Sequence, residues 1–182
     1  MKTTTYCWSN RNRLLSHLRG NFCALTIVSA SCTLPSAEVS GRALPASGGF
    51  FPCFNYAGPP RQVGDNLIIT FNVTGTSTGT FVGSFVGTEM QVVHRDGSIN
   101  LHGSLLLTGQ IENNSGTLVF TYEGIGNAVT GHETLHGVGG QGTDGLAGVH
   151  VNLTLEGDVG APNQGCDRSG AGTYTGQILF GP

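Results

Sequence analysis

From Asp65 onward the chain is divided into short segments rich in β-branched and aromatic residues, and turn-forming residues separate these segments at regular intervals. Gly, Asn, Asp and Ser bound the segments, as is typical of strands joined by tight turns. Seven strands are predicted, at 67–74, 80–93, 99–111, 117–124, 130–138, 146–156 and 173–180. No long stretch has a helical period supported by caps, so the sequence predicts an all-β protein.

Glycines inside these predicted strands favour a sheet that closes on itself. They stand at Gly83, Gly87, Gly103, Gly109, Gly148 and Gly176. Glycine weakens a flat sheet but permits the bends that a small barrel needs. The turn sequences RDGS at 95–98 and ENNSG at 112–116 are typical of hairpins. We therefore expect a small antiparallel closed β-barrel.

The charge pattern excludes several classes of partner. Charged residues make up only 10% of the chain, which argues against a coiled coil or long surface helices. From Glu38 onward, 4 Arg stand against 11 Asp and Glu, a net charge of −7. This is the wrong sign for binding a nucleic-acid backbone or an anionic membrane surface. Nucleic acid is therefore not an expected partner.

The first 30 residues have the pattern of a signal peptide. Lys2 and three Arg precede the apolar run 22–28, and the small-residue sequence VSA at 28–30 suits a signal peptidase. The run is shorter than the ~18 to 20 apolar residues that span a bilayer, so no transmembrane segment is expected. The chain is therefore predicted to be secreted, periplasmic or in the cell envelope. Acylation of Cys32, giving a lipid anchor, is the alternative.

Residues 31–63 are predicted to form an irregular N-terminal arm ahead of a barrel domain at 64–182. The segment is rich in Pro, Ser, Ala and Gly, which disfavour regular strands. It also holds an aromatic stretch (Phe50, Phe51, Phe54 and Tyr56) that we expect to pack onto the barrel and that offers a surface for homo-oligomer formation. Cys53 lies within this stretch, and we predict a disulfide between Cys53 and Cys166 that fastens the arm.

A set of short motifs in a fixed order resembles one known family. The motifs are TFVG at 80–83, GSLL at 103–106, GTLVF at 116–120, GTDGLAGV at 142–149 and GTYTG at 172–176. In this order they resemble the DUF3224 family of uncharacterised proteins, which is similar to the allene oxide cyclase, calycin-like barrels. The resemblance covers residues 73–180 and implies an eight-stranded antiparallel barrel. Because the matching residues are scaffold glycines and apolar residues, it implies no particular reaction.

Three ionisable residues are candidates for acid or base chemistry inside the barrel: Glu89, His102 and Tyr122. An ionisable group in an apolar barrel has a shifted pKa that suits proton transfer. Glu123 is a further candidate, but the strand period of two places Tyr122 and Glu123 on opposite faces. We expect only one of these two neighbours to face the interior.

The sequence His132-Glu133-Thr134-Leu135-His136 satisfies the H-E-x-x-H pattern of zinc hydrolases. That chemistry requires a helix, which places both His on one side of the metal. Gly131 and Gly137 flank this segment and disfavour a helix. On a strand the two His are about 13 Å apart, which is too far for one zinc ion. No metal site is therefore predicted, and a metal-dependent hydrolase using His132 and His136 remains an alternative.

These observations favour an exported barrel that binds a small apolar molecule, with cyclase or isomerase activity as a possible extension. No cofactor is expected. A non-catalytic structural or interaction domain with a filled barrel is the alternative from a different class. Large side chains that fill the interior would favour that alternative.

Overall fold

The computed structural model describes residues 41–163 and 165–181, so the predicted signal peptide and Cys32 lie outside the described residues. The strands are β1 (Arg42–Tyr56), β2 (Arg61–Val63), β3 (Asn66–Gly79), β4 (Phe81–Val93), β5 (Ser98–Ile111), β6 (Asn114–Asn127), β7 (His132–Gly140), β8 (Val149–Val159) and β9 (Arg168–Phe180). A single 3-10 turn, Asp144–Leu146, is the other regular element in these residues. None of the described residues belongs to a helix long and apolar enough to cross a membrane.

Eight of the strands form a closed antiparallel barrel. Strands β3 to β9 pair with their neighbours in chain order, and β1 pairs with both β9 and β3. Arg42 lies opposite Phe180 on β9, and Gly48 lies opposite Gly79 on β3. The short β2 pairs with the end of β3 that β1 does not reach, where Arg61 lies opposite Ile68. The prediction of an all-β closed barrel is thus confirmed, with one additional strand.

The predicted irregular arm at 31–63 is wrong for its described part, since residues 42–56 form barrel strand β1. This strand contains two prolines, which made its sequence resemble an irregular segment. Pro45 lies where β1 pairs only with β9, and Pro52 lies where the ladder with β9 is interrupted between Phe50 and Cys53. Proline lacks an N–H group, so it is tolerated at such edges and interruptions. The barrel therefore begins at residue 42 rather than 64.

Alternation along the strands sends apolar side chains into the barrel. In β8, Val149, Val151, Leu153 and Leu155 are buried while the residues between them are exposed. Leu146 of the 3-10 turn is 0% exposed and belongs to the main core cluster with Ile111, Leu118 and Ile178. Leu146 fills the barrel interior at the end near the β7–β8 connection. The open space inside the barrel lies in the middle and toward the other end.

The predicted disulfide joins Cys53 of β1 to Cys166 in the β8–β9 connection, with 5.3 Å between the two Cα atoms. Two hydrogen bonds reinforce this connection. The Tyr56 N–H donates to the Asp167 carboxylate at 2.9 Å, and the Asp167 N–H donates to the Asn55 side chain at 3.1 Å. The disulfide therefore fastens the β8–β9 connection against β1, and it is compatible with an oxidising compartment.

Candidate functional site

Four polar side chains lie together inside the otherwise apolar barrel. Glu89 and Gln91 of β4 are 2% and 3% exposed, Tyr122 of β6 is 8% exposed, and Glu133 of β7 is 7% exposed. All four occupy inward positions in the alternation of their strands. Buried carboxyl groups are rare in protein interiors unless they are paired or hydrogen-bonded. This buried polar cluster is the candidate functional site.

Hydrogen bonds connect the four side chains through Glu89 and Gln91. The Gln91 amide donates to Glu89 Oε1 at 2.8 Å and to Glu133 Oε1 at 3.2 Å. The Tyr122 hydroxyl donates to Glu89 Oε2 at 2.8 Å. Both oxygens of Glu89 therefore accept a hydrogen bond, whereas Glu133 Oε2 has no protein partner in the described part of the chain.

Tyr122 reaches Glu89 because the strand between them carries a glycine at the crossing point. Gly103 of β5 lies opposite Glu89 on one side and opposite Tyr122 on the other. A Cβ atom at this position would overlap the Tyr122 ring. Glycine thus lets the ring lie flat across β5, which places the Tyr122 hydroxyl at the carboxylate.

A cavity of about 90 Å³ adjoins the polar cluster. Glu89, Tyr122 and Glu133 line it together with a mainly aromatic and aliphatic set that includes Phe50, Phe54, Phe81, Phe85, Phe120, Leu135, Leu153 and Val159. Ser77 and Tyr174 contribute hydroxyl groups, and Asp158 lies at its edge. The site is therefore an apolar chamber with a polar cluster at Glu89, Tyr122 and Glu133, and with the hydroxyl groups of Ser77 and Tyr174 held separately at the β3–β4 turn.

Glycines on the neighbouring strands make room inside the barrel for the side chains of Glu133 and Phe50. Its cross-strand partners are Gly126 on β6 and Gly157 on β8, and Gly157 in turn lies opposite Gly172 on β9. The ring of Phe50 covers Gly172, its partner on β1. The Glu133 side chain lies over Gly126 and the Phe50 ring reaches over Gly157 and Gly172, so these glycines let both side chains pack close to the barrel wall.

Burial gives the two carboxyl groups unusual proton affinities. Burial raises the pKa of Glu133 to about 8, with a further increase from the nearby charge of Glu89 and a decrease from Arg168. Burial also raises the pKa of Glu89, although hydrogen bonds from Tyr122 and Gln91 oppose the change. Burial, followed by the charge of Glu89, raises the pKa of Tyr122 well above its ordinary value. Neutral pH therefore favours the protonated form of Glu133.

The structure brings together two of the three predicted acid and base candidates. Glu89 and Tyr122 face the interior and share a hydrogen bond. His102 is exposed on the outer face of β5, where it lies opposite Glu123 on β6, which is also exposed. The expectation that His102 faces the interior is wrong because its neighbours Leu101 and Gly103 occupy the inward positions. A catalytic role for Glu89 or Tyr122 stays a prediction.

The H-E-x-x-H segment lies on β7 rather than on a helix. Both His side chains are exposed on the outer surface and make hydrogen bonds there. His132 contacts Asp158 at 2.9 Å, and His136 contacts Asn152 at 2.9 Å. Glu133 points the opposite way, into the barrel. Within residues 41–163 and 165–181, no three His, Cys, Asp or Glu side chains lie close enough to hold a metal ion. The zinc hydrolase alternative therefore loses its geometric basis.

Sequence reasoning missed Gln91 and the inward position of Glu133. The signal for both was the strand period of two. Glu89 and Gln91 share a face of β4, and Glu133 shares a face of β7 with Leu135. Interpreting residues 132–136 as a possible metal motif directed attention to the histidines, whereas the strand pattern places the glutamate in the core.

Comparison with known proteins informs the fold. No family model matches the sequence, and no curated protein matches it. A crystal structure of a DUF3224 family protein of unknown function from Shewanella oneidensis MR-1 matches with a TM-score of 0.58. The two proteins share a fold.

This match covers 78% of the present chain and 99% of the Shewanella oneidensis chain, at 15% sequence identity. At that identity the likeness establishes the barrel architecture and leaves the activity open. The resemblance to DUF3224 inferred from the sequence motifs is confirmed for the fold, and the allene oxide cyclase-like label stays a prediction.

Proposed function

We propose that the barrel binds a small, mostly apolar molecule whose polar end lies at Glu133. The observation that supports this function is the apolar chamber next to a carboxyl oxygen of Glu133 that has no partner among the described residues. Ligand sites in proteins are commonly apolar cavities with a few placed polar groups that fix orientation. The cavity lined by Glu133 and the aromatic and aliphatic side chains provides the space in which such a molecule would lie.

The cavity volume limits the size of this molecule. An engineered cavity of about 150 Å³ in another protein is large enough for benzene. The present chamber of about 90 Å³ is smaller, so it suits a compact molecule or one end of a longer molecule. Val159 and Asp158, at the end of β8, lie where a longer molecule would extend toward solvent.

A second candidate function is isomerisation or cyclisation by proton transfer. The pKa of Glu133, about 8, is close to neutral pH, which favours a general acid or base. Glu89 is less suited to this role because both of its oxygens accept hydrogen bonds. Glu133 would therefore carry the proton. Exchange of a bound ligand's acidic C–H hydrogen with deuterium from the solvent, lost in E133Q, would support this function.

We also propose that the protein is exported to an extracellular or periplasmic compartment. The basic and apolar pattern of residues 1–30 and the disulfide between Cys53 and Cys166 support this location. Expression of the full chain in a secreting host tests it. The mature protein should lack the first 30 or so residues by mass, and retention of the whole chain inside the cell would contradict it.

Native mass spectrometry of the full-length protein tests ligand binding. The disulfide-bonded protein should retain a small molecule from its host or take one up from a library of compact apolar compounds. V159F narrows the chamber and should reduce the bound fraction. V129F is the matched control, because Val129 is 86% exposed in a turn and does not line the cavity.

Two results would contradict ligand binding. Wild-type protein that stays unliganded throughout the library would favour the structural, filled-barrel alternative. Equal ligand retention in V159F and wild type would place the molecule outside this chamber. L105F, which narrows the same cavity from β5, provides a second variant if V159F does not fold, as judged by circular dichroism.

A further inference from the structure

The hydroxyl groups that line the chamber have already donated their hydrogens within the protein. Tyr122 donates to Glu89, Tyr174 donates to the Thr78 carbonyl at 2.9 Å, and Ser77 donates to the Phe81 carbonyl at 3.2 Å. A hydroxyl oxygen that donates its one hydrogen can still accept hydrogen bonds. Toward a ligand, these three side chains therefore offer acceptors only.

The carboxyl groups that line the chamber, when ionised, likewise offer a ligand only hydrogen-bond acceptors. Glu133 Oε1 accepts from Gln91, and Oε2 has no partner in residues 41–163 and 165–181, so Glu133 can accept two or more hydrogen bonds when ionised. Among the described residues that line the chamber, none is Lys, Arg, His, Asn or Gln. When Glu133 is ionised, the chamber offers a ligand several acceptors and no donor, whereas the neutral acid adds one O–H donor on Glu133. A ligand that pairs with the ionised form must itself donate.

Charge favours a positively charged donor. Glu133 is buried beside Glu89, and the ion pairs in the described chain, Arg42–Glu112 and His132–Asp158, include neither residue. A buried carboxylate is stabilised by an opposite charge in contact with it. Five Phe rings, at 50, 54, 81, 85 and 120, line the same chamber. These rings suit the hydrocarbon part of such a ligand, while its charged group would lie at the polar end.

We propose that the molecule bound in the barrel is a small organic amine, held as its ammonium ion by Glu133 and the Tyr122 oxygen. This proposal rests on the proposed ligand-binding function and specifies the ligand class. The ammonium group donates to Glu133 Oε2 and to the free lone pair of Tyr122 Oη. Its hydrocarbon part lies against the Phe rings.

Binding of the ammonium ion releases a proton from Glu133. Without the amine Glu133 is mainly the neutral acid, and the ammonium ion binds to the carboxylate, so the O–H bond breaks and the proton goes to solvent. Three nearby groups influence the ionisation of the Glu133 carboxyl. Glu89 on β4 and Tyr122 on β6 are its polar neighbours, and the charge of Arg168 on β9 favours the ionised form. Affinity should therefore rise with pH toward about 8 and fall above the pKa of the amine.

Isothermal titration calorimetry with three compounds of similar size tests the ligand class. The compounds are isobutylamine, isobutanol and butanone, which represent a cationic donor, a neutral donor and an acceptor. Isobutylamine should bind about tenfold more tightly than either neutral compound. Titrations in two buffers of different ionisation enthalpy should show proton release on amine binding near pH 7.

E133Q and E123Q are the matched variants. Glu133→Gln keeps the shape of the side chain and removes its charge, so amine affinity should fall about tenfold or more and proton release should disappear. Glu123→Gln removes a charge from the outer face of the neighbouring strand and should leave both unchanged. Proton release in the wild type tests the same point if E133Q does not fold.

Three outcomes separate this inference from the function on which it rests. Tight binding of butanone or isobutanol with weak binding of isobutylamine overturns the amine proposal and leaves ligand binding intact. Amine binding that is equal in E133Q and wild type overturns the role of Glu133. Absence of binding by all three compounds overturns the amine proposal at this ligand size, and the native mass spectra then decide the proposed function separately.

Discussion

The hydroxyl of Tyr174 on β9 accepts a hydrogen bond from the backbone N–H of Phe81 on β4 at 2.9 Å. β1 lies between β9 and β3 here, and the Tyr174 side chain extends over Gly48 of β1 to reach the β3–β4 turn. The same hydroxyl donates to the Thr78 carbonyl at 2.9 Å. One side chain thus satisfies two backbone groups of the β3–β4 turn.

Tyr174→Phe should reduce the free energy of unfolding by about 1 to 3 kcal/mol, because it leaves a buried N–H and a carbonyl without this partner. Urea denaturation followed by circular dichroism measures the change. Tyr56→Phe is the control, since Tyr56 is 41% exposed and the described chain gives its hydroxyl no partner. Equal effects of the two substitutions would show that the Tyr174 bonds contribute little.

Gly103→Ala should destabilise the barrel and disturb the buried polar cluster. The added methyl group would overlap the Tyr122 ring, and overpacking of this kind costs about 1 to 3 kcal/mol. Denaturant unfolding measures the loss. Gly58→Ala is the matched control because a Cβ atom there meets no other atom within 4 Å. A stable G103A protein with an unchanged Tyr122 environment would contradict this packing.

Stability should fall as pH rises through the range set by Glu133. The pKa of Glu133 is about 8 in the folded protein, against 4.5 for a free glutamate carboxyl. Between these two pH values the folded state therefore binds more protons than the unfolded state. The contribution is fully present below about pH 4.5 and is lost by about pH 8. Its full size is on the order of 4 kcal/mol, and Glu89 changes stability in the same direction.

Urea unfolding at several pH values checks this dependence. E133Q cannot ionise at this position, so its stability should decline less than that of wild type between about pH 5 and 8. E123Q should follow the wild-type curve, because Glu123 is exposed on the outer face. Parallel curves for wild type and E133Q would mean that Glu133 ionises normally in the folded protein.

Removal of the disulfide should lower stability without changing the sheet. Cys53 and Cys166 are separated by 113 residues, and the chain-entropy relation gives about 4 to 5 kcal/mol for closing a loop of this size, as an upper figure. C53S/C166S should therefore unfold at lower urea concentration while its far-UV circular dichroism stays the same. An unchanged midpoint would show that β1 and the β8–β9 connection are held by their hydrogen bonds alone.

The strand pattern was sufficient to predict most of the barrel. Segments 99–111 and 80–93 correspond closely to β5 (Ser98–Ile111) and β4 (Phe81–Val93), because turn residues bound them and apolar side chains alternate within them. β1 was missed because Gly48 and Pro52 occupy inward positions that would otherwise show the apolar period. Its partners on β3 and β9 are distant in sequence, so local composition could not reveal the pairing.

The candidate site was only partly predictable for a related reason. Periodicity identifies which residues face inward along one strand, and it correctly placed Tyr122 and Glu123 on opposite faces. It gives no distance between strands. The contact of Gln91 with both Glu89 and Glu133 depends on the curvature of the closed barrel, which brings β4 and β7 together across the interior. That curvature is a property of the whole sheet.

Closure by β1 has a consequence for the order of folding events. Arg42 of β1 pairs with Phe180 of β9, so β1 is the first barrel strand to be synthesised and β9 the last. One edge of β1 therefore stays unpaired until β9 has been synthesised. Contacts this distant in sequence slow folding, because the chain loses the entropy of a long loop before it gains the pairing. Until β9 is in place, both edges of the growing sheet are open to pairing with other chains. We therefore expect the pairing of β9 to limit the rate of barrel closure and the time during which the open sheet can aggregate.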